Sequence, residues 1–304
     1  MSERRVLALD VGTHTVLASV GRARGGRLEL LANRQWFARL GEGVRATGRL
    51  APAAIGRAVA ALREARGLAG ELGAEIAAVA TRACREARNA EDFLRPAAEA
   101  LGVPVEVVSG EREAALTFRG ASSGLIVAGP GLWVDVGGGS TELITARDGV
   151  VLGAVSTSLG AVALTEAHLR SDPYSAAELA AAGEAIRAVL AGDVVRPAPA
   201  VVAIGGTATT FAAIELGMSS YDGERAHGFR LARERLDGWA ARLAALPAAA
   251  RERVPGLAPE RAPVIVAGGL VLAEVLARAG AAEVIVSDRG VRHGVLLDRL
   301  GLRG

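Results

Sequence analysis

The sequence predicts an α/β protein of two related domains, each ending a strand in a phosphate-binding hairpin. Three observations carry this. An apolar run ends in an acid, three glycines, two hydroxyls and a second acid: Leu132-Trp133-Val134-Asp135-Val136-Gly137-Gly138-Gly139-Ser140-Thr141-Glu142. The segment Asp10-Val11-Gly12-Thr13-His14-Thr15 has the same form a domain's length earlier. After each hairpin, strand-like and helix-like segments alternate, the pattern of a sheet flanked by helices. Glycine lets the backbone bring its N–H groups close to an anion, and Ser140 and Thr141 add donors. Carboxylates beside a phosphate repel it unless a divalent cation sits between them. Taken alone, either loop also reads as a glycine-rich β-turn; the repeat favours phosphate.

In order along the chain, Arg4 to Val11 is a buried-strand pattern, Val16 to Val20 a second strand, and Arg27 to Phe37 a third after the Gly25-Gly26 turn. Ala51 to Leu68 is helical, with Pro52 tolerated in its first turn. Glu75 to Ala80 reads as a strand, and Thr81 opens a helix expected to run to about Leu101. Val103 to Val108 is a strand that delivers Ser109-Gly110-Glu111-Arg112-Glu113-Ala114 to a helix start, where the positive end of the dipole favours an anion. The connector Ser122 to Pro130 marks the domain boundary, giving domains of 1–124 and 125–304. In the second domain, strands surround Asp135, Glu142 to Ala146 and Val150 to Val155, and helices follow at about Gly160 to Leu169 and Ala176 to Leu190. The strand Ala198 to Ile204 runs into a third turn, Gly205-Gly206-Thr207, at the strand end where α/β sheets bind ligands. Leu231 to Leu246 and Ala262 to Ala279 are expected helices, Glu283 to Ser287 a last strand and Gly290 to Leu300 a last helix.

Composition narrows the function. Of the 304 residues, 51% are hydrophobic, ample for buried cores, but no apolar run reaches the roughly 18 residues of a membrane span. Met1-Ser2-Glu3-Arg4-Arg5 leads straight into a strand, unlike a secretory signal. The single Cys84 has no partner for an internal disulfide, and a cytoplasmic location is expected. All 35 basic residues are arginine, whose fork suits phosphate. A net charge of +2 is too small for a duplex-binding face, and 3% aromatic residues are too few to stack single-stranded bases. Neither nucleic acid nor membrane is an expected partner.

The paired Asp-x-Gly hairpins resemble the actin-like (RNase H-like) phosphotransferase fold of sugar kinases, actin and Hsp70, in which two such hairpins face each other across a cleft. Further blocks narrow the resemblance: Ala80-Thr81-Arg82-Ala83-Cys84-Arg85-Glu86-Ala87-Arg88-Asn89, Ser109 to Ala114, Ser158-Leu159-Gly160-Ala161-Val162, Gly205-Gly206-Thr207-Ala208-Thr209 and Ser287-Asp288-Arg289-Gly290. With the two hairpins, these occur in the order seen in the Ppx/GppA phosphatases, which are exopolyphosphatases and guanosine pentaphosphate phosphohydrolases. The chain resembles the short, two-domain members. In that family the last helix packs back on the first domain, which implies a discontinuous boundary with about 290–304 on domain I.

The resemblance implies site residues. Glu113 is similar to the family's catalytic glutamate, the base that activates water; its plain alternative is a solvated acid at a helix start. Asp10, Asp135 and Glu142 resemble the family's metal-site acids, expected to contact Mg²⁺ partly through water; otherwise they cap turns. Arg85 resembles the phosphate-facing arginine, with Arg82 and Arg88 nearby as solvated neighbours. Gly12, Thr13, His14, Gly137, Gly138, Gly139, Ser140 and Thr141 would hold the reacting phosphate, and Gly205, Gly206 and Thr207 more distal phosphates or a nucleoside. Cys84, Trp36 and Trp133 read as packing residues, and His168 and His293 as surface residues. The block Tyr221 to Gly228, with His227, is similar to the family's but carries no assigned role. His14, Leu17, Ala115 and Ala163 depart from the pattern, replacing residues that are polar or basic in many relatives. The leading expectation is Mg²⁺-dependent removal of terminal phosphate from inorganic polyphosphate. The alternatives are the same chemistry on guanosine pentaphosphate and a non-catalytic sensor of polyphosphate or guanosine tetra- or pentaphosphate. Dimerisation is implied by analogy alone.

Overall fold

The computed structural model describes residues 4–302, apart from the side chains of Arg45 and Asp193. The chain opens with the strands β1 (Arg5–Val11), β2 (Val16–Arg24) and β3 (Arg27–Trp36), followed by helices α1 (Val44–Thr47) and α2 (Pro52–Leu72). Strand β4 (Glu75–Ala80), helices α3 (Arg82–Glu86) and α4 (Glu91–Leu101), strand β5 (Val105–Val107) and helix α5 (Gly110–Ser122) follow. A second series then runs through β6 (Pro130–Val136), β7 (Thr141–Arg147), β8 (Val150–Thr157), α6 (Ala161–His168), α7 (Ala176–Val189), β9 (Ala200–Ile204) and α8 (Gly205–Glu215). It closes with α9 (Gly223–Ala226), β10 (Arg230–Ala232), α10 (Arg233–Ala244), α11 (Ala248–Arg251), α12 (Ile265–Ala279), β11 (Glu283–Ser287) and α13 (Val291–Arg299).

The contacts divide the chain into two units. Unit 1 is the chain up to Gly124 together with the residues from Gly290 on, so α13 belongs to it; unit 2 is Leu125–Arg289. The sheet of unit 1 has the order β3-β2-β1-β4-β5. The pairs β1–β2 and β2–β3 are antiparallel, and β1–β4 and β4–β5 parallel. Unit 2 repeats this as β8-β7-β6-β9-β11 with the same directions, and adds β10 antiparallel at the end. This is the RNase H-like order of an actin-like domain, present twice.

The alternation of β1 explains its packing. Leu7, Leu9 and Val11 enter a core with Leu62 and Phe93 from α2 and α4. Val6 and Ala8 enter a core with Leu116 of α5 and Val295 and Leu296 of α13. Side chains of period two on a strand covered on both faces give the near-continuous apolar run of Val6 to Leu9. In unit 2, Leu132, Val134 and Val136 of β6 join one core with Phe211 of α8 and Val271 and Leu272 of α12.

Several expectations are corrected. The helix expected from Thr81 to Leu101 is two helices, because Ala87 is extended (φ −81°, ψ 126°). The buried Asn89 side chain then accepts from Leu50 N at 2.8 Å and donates to Leu50 O at 3.1 Å, a tie that a continuous helix would turn away. The segment Gly205-Gly206-Thr207 is the first turn of α8 rather than a free turn. The expected helix from Leu231 begins with two strand residues, because Arg230 to Ala232 pair with β11. His293, expected at the surface, is fully buried. Among the described residues, no helix is long and apolar enough to cross a membrane.

Candidate active site

In unit 1 the register brings the candidate residues to one sheet edge. Asp10 pairs with Val79, Val11 with Ala80 and Ala80 with Val107. The three parallel strands therefore end level, and the Gly12 hairpin, α3 and the start of α5 all follow from there. Ser109 caps α5, its hydroxyl accepting from Arg112 N at 3.2 Å, which sets Glu113 in the first turn. Arg85 Nη1 donates to Glu113 Oε2 at 2.5 Å and to Val108 O at 3.0 Å. The three arginines of this segment separate: Arg82 pairs with Glu86 at 2.7 Å, Arg88 lies against Gly48, and Arg85 reaches the candidate base.

Asp10 is half-buried, but its Oδ1 is shut off from solvent without a hydrogen-bond partner. Burial pushes its carboxyl up to about 7; the charge of Glu113 raises it further and that of Arg292 opposes both. Arg292, on α13, also donates from Nε to the buried Ser19 Oγ at 2.7 Å. A carboxyl oxygen with no partner in a buried position suits a hard cation, which would hold Asp10 ionised.

Backbone geometry leaves an open donor at the first hairpin. Gly12 N donates to Thr15 O at 2.9 Å, closing the turn. The carbonyls of Thr13 and His14 accept from Gly41 N and Arg39 N, each at 2.9 Å. The loop's carbonyls are thus occupied, while Thr13 N–H donates to no residue of the described chain. Glycine at position 41 lets the chain approach closely here, since an ideal Cβ would lie 2.3 Å from Thr13 Cγ2. The His14 ring stands edge-on to Phe37, with centroids 5.7 Å apart.

Unit 2 builds its hairpin the same way. Gly137 N donates to Ser140 O at 2.9 Å, and Gly137 O and Gly138 O accept from Ala161 N and Val162 N at the start of α6, each at 2.9 Å. Gly160 permits this approach, because a Cβ there would lie 2.3 Å from Gly138 O. The Gly138 and Gly139 N–H groups donate to no residue of the described chain. Asp135 faces Glu142 directly across the β6–β7 ladder, whereas Asp10 faces Leu17. Like charges directly opposite destabilise a ladder unless something positive joins them. Ser156 Oγ donates to Glu142 Oε1 at 2.8 Å. Two hydroxyls of the expected site residues donate within the chain. Thr141 Oγ1 donates to Leu159 O at 2.8 Å, and Thr207 Oγ1 to Val136 O at 3.2 Å, so both hydroxyls tie the scaffold together. Ser140 is buried in the loop.

At the start of α8, Gly205 has φ +76°, and a Cβ would lie 2.5 Å from Asp135 Oδ1. A Cβ on Gly206 would lie 1.8 Å from Arg261 Nη1, so this guanidinium rests on the glycine. Burial lowers the Arg261 pKa, and Tyr221, Glu260 and Asp135 oppose that shift. Arg261 was not singled out in the sequence, because no motif surrounds it and it is one arginine among many. The unassigned Tyr221 block is held at the end of β11: Tyr221 Oη donates to Asp288 Oδ1, and Ser287 Oγ lies 3.3 Å from His227 Nδ1. Cys84 is buried, which pushes its thiol up to about 12 and leaves it a packing residue. Among the described residues, no group of three or more His, Cys, Asp or Glu side chains could hold a metal ion without other ligands.

The sequence profile of the Ppx/GppA phosphatase family matches residues 19–302, beginning just after the first hairpin. Exopolyphosphatase 2 of Mycobacterium tuberculosis is 35% identical over 322 aligned positions, spanning 99% of this chain and 100% of that relative. A Ppx/GppA family member of Aquifex aeolicus superposes with a TM-score of 0.86 at 32% identity, over 98% of this chain and 97% of its own. An exopolyphosphatase of Cytophaga hutchinsonii superposes with a TM-score of 0.88 over 99% of both chains; at 24% identity it speaks for the fold alone. The chain belongs to the Ppx/GppA phosphatase family, a family of phosphoanhydride hydrolases.

Proposed function

We propose that the protein is an exopolyphosphatase that hydrolyses the terminal phosphoanhydride of inorganic polyphosphate, with Glu113 as the base. The observation that carries this is the arrangement at the sheet edge of unit 1. A partly buried glutamate in the first turn of α5 is held by Arg85 at 2.5 Å, and its charge is felt by the buried Asp10 carboxyl. The 35% identical relative named exopolyphosphatase 2 supports the choice of substrate.

Glu113 takes a proton from water, whose oxygen attacks the terminal phosphorus. The bond from that phosphorus to its bridging oxygen breaks, releasing orthophosphate and a chain one unit shorter. The N–H groups of Thr13 in unit 1 and of Gly138 and Gly139 in unit 2 would donate to phosphate oxygens, as donors fixed in place where charge accumulates. Arg85 orients Glu113 and offers its remaining N–H groups to a phosphoryl oxygen. Mg²⁺, where bound, supplies positive charge that offsets repulsion between phosphate and carboxylates. Asp10, Asp135 and Glu142 are the side chains that would hold it. Water and phosphate oxygens would complete its shell, as this reluctantly dehydrated ion prefers.

The test is phosphate release from long polyphosphate and from guanosine pentaphosphate, side by side, with Mg²⁺ and with excess chelator. Release from polyphosphate is expected, lost in chelator and reduced at least about a hundredfold in Glu113→Gln, the usual scale for removing a general base. Release from guanosine pentaphosphate alone moves the assignment to that substrate. Release from neither, with binding retained, makes the protein a sensor.

A further inference from the structure

Backbone conformation singles out a residue that no motif marks. Arg39 has φ +50°, in the left-handed region that a side chain with a Cβ rarely occupies. Every other positive-φ position among the described residues is a glycine, except Asp148. Asp148 sits in the Asp148-Gly149 turn between β7 and β8, where aspartate is ordinary, and its Oδ1 accepts from Gly129 N. Arg39 has no such excuse. The strained position is also over-determined: Arg39 N donates to His14 O at 2.9 Å, and Arg39 O accepts from Glu42 N at 3.0 Å. It is flanked by the buried Ala38 and Leu40, while its own side chain is exposed.

Its charge is uncommitted. Elsewhere in unit 1, Arg57 pairs with Glu42, Arg22 with Glu29, and Arg85 with Glu113. Arg39 makes no ion pair within the described chain. A chain this rich in glycine would satisfy the backbone geometry with glycine at no steric cost. A left-handed arginine that persists beside a loop with open N–H groups therefore signals that its side chain is in use.

We propose that Arg39 is a substrate-binding residue, its exposed guanidinium taking a phosphate of a polyanionic chain from a strained backbone position pinned to the Gly12–Thr15 loop. The inference rests on the polyphosphate reading. The guanidinium fork pairs two oxygens of one phosphate, which neither a hydroxyl nor a solvated lysine does as well. The segment 39–41 then has two tasks: its N–H groups occupy the loop's carbonyls, and its side chain holds the chain that enters the loop.

The test uses Arg39→Gly, which keeps the backbone donor and removes both strain and charge, with Arg39→Lys as the conservative partner. Turnover of long-chain polyphosphate and equilibrium binding of fluorophore-labelled polyphosphate are both measured against salt. For Arg39→Gly we expect KM and the dissociation constant to rise roughly tenfold, the scale of one charge-assisted contact. We expect kcat within about twofold and a thermal midpoint equal to or above the wild type, since glycine prefers this φ. The logarithmic salt dependence should flatten by about one, as for loss of one phosphate contact. Arg39→Lys should recover part of the affinity. Wild-type KM, binding and salt slope in Arg39→Gly overturn the proposal. If the wild type binds polyphosphate without turning it over and Arg39→Gly loses that binding, the hydrolase reading falls and the role of Arg39 stands. If the wild type neither binds nor turns over polyphosphate, both fall.

Discussion

At the scale of single residues, the half-buried acid Asp10, with its Oδ1 shut off from solvent, makes the sharpest demand. A carboxyl raised from its ordinary 3.8 to about 7 keeps its proton in the folded chain where the unfolded chain has lost it. The folded state therefore binds the extra proton between about pH 4 and pH 7, and its stability falls as pH rises through that window, then levels off. The loss is at most on the order of 4 kcal/mol, from about 1.4 kcal/mol per pKa unit. Urea unfolding in chelator from pH 5 to pH 8 should show this decline in the wild type and a flatter line in Asp10→Asn; Mg²⁺ should shrink the difference. Parallel lines for the two proteins would remove Asp10 from its strained role. Asp10 and Asp135 were legible in the sequence because each is an acid closing an apolar run before glycine, a combination that packing alone does not call for. Arg39, Arg261 and Arg292 were not. All 35 basic residues are arginine, and only the fold distinguishes the one resting on Gly206 or donating to Ser19 from those in solvent. His293 misled for the opposite reason, since a polar residue two places before Val295 gives no sign that its helix is covered on that face as well.

At the scale of elements, Glu113 is only as well placed as α5, and α5 is set by its contact with α13. An ideal Cβ on Gly120 of α5 would lie 2.0 Å from Gly290 O, and one on Gly294 of α13 would lie 2.2 Å from Leu116 O. The backbones thus touch where a side chain would hold them apart. Gly294→Ala should cost about 1–3 kcal/mol through overpacking. Because α5 carries the base, kcat should fall with it. Gly67 is the control: it is exposed on α2, with nothing within 4 Å of its ideal Cβ. Gly67→Ala should stabilise by about 1 kcal/mol through helix propensity. The same substitution with opposite signs, read by urea unfolding, separates close packing from propensity; destabilisation at both sites would contradict this account. Most elements were legible because strands covered on both faces leave unbroken apolar runs, as in β1 and β9. The break at Ala87 was not, since it depends on Asn89 reaching Leu50, far away in sequence. Gly205 and Gly206 look like a turn by composition, yet they form a helix start, where Asp135 and Arg261 leave little space for side chains.

At the scale of the whole molecule, the repeated strand order means that each unit should fold on its own sheet, but the two units are not built alike in sequence. Unit 2 is continuous, with one core drawn from β6, β7, β9 and β11 and their helices. Unit 1 is interrupted, and one of its two cores needs Val291, Val295 and Leu296 from beyond the insertion. A fragment of residues 125–289 should therefore unfold in one cooperative transition. Residues 1–124 alone should not, because Val6, Ala8, Val79 and Leu116 would lose their cover, at about 25 cal/mol for each Å² of apolar surface exposed. The two ends of the interruption lie close together, since Gly120 abuts Gly290 O four residues before the unit's first segment ends. Joining Gly124 to Gly290 through a short Gly/Ser linker should restore cooperative unfolding, because closing a short loop costs little entropy. Circular dichroism during heating, with a dye that reports exposed apolar surface, distinguishes the three chains. A cooperative transition in residues 1–124 alone, or its absence in the joined chain, would show that α13 is an accessory to unit 1 rather than part of its core. The same experiment asks whether Glu113 needs α13, because only the joined chain keeps α5 seated against the helix that carries Arg292.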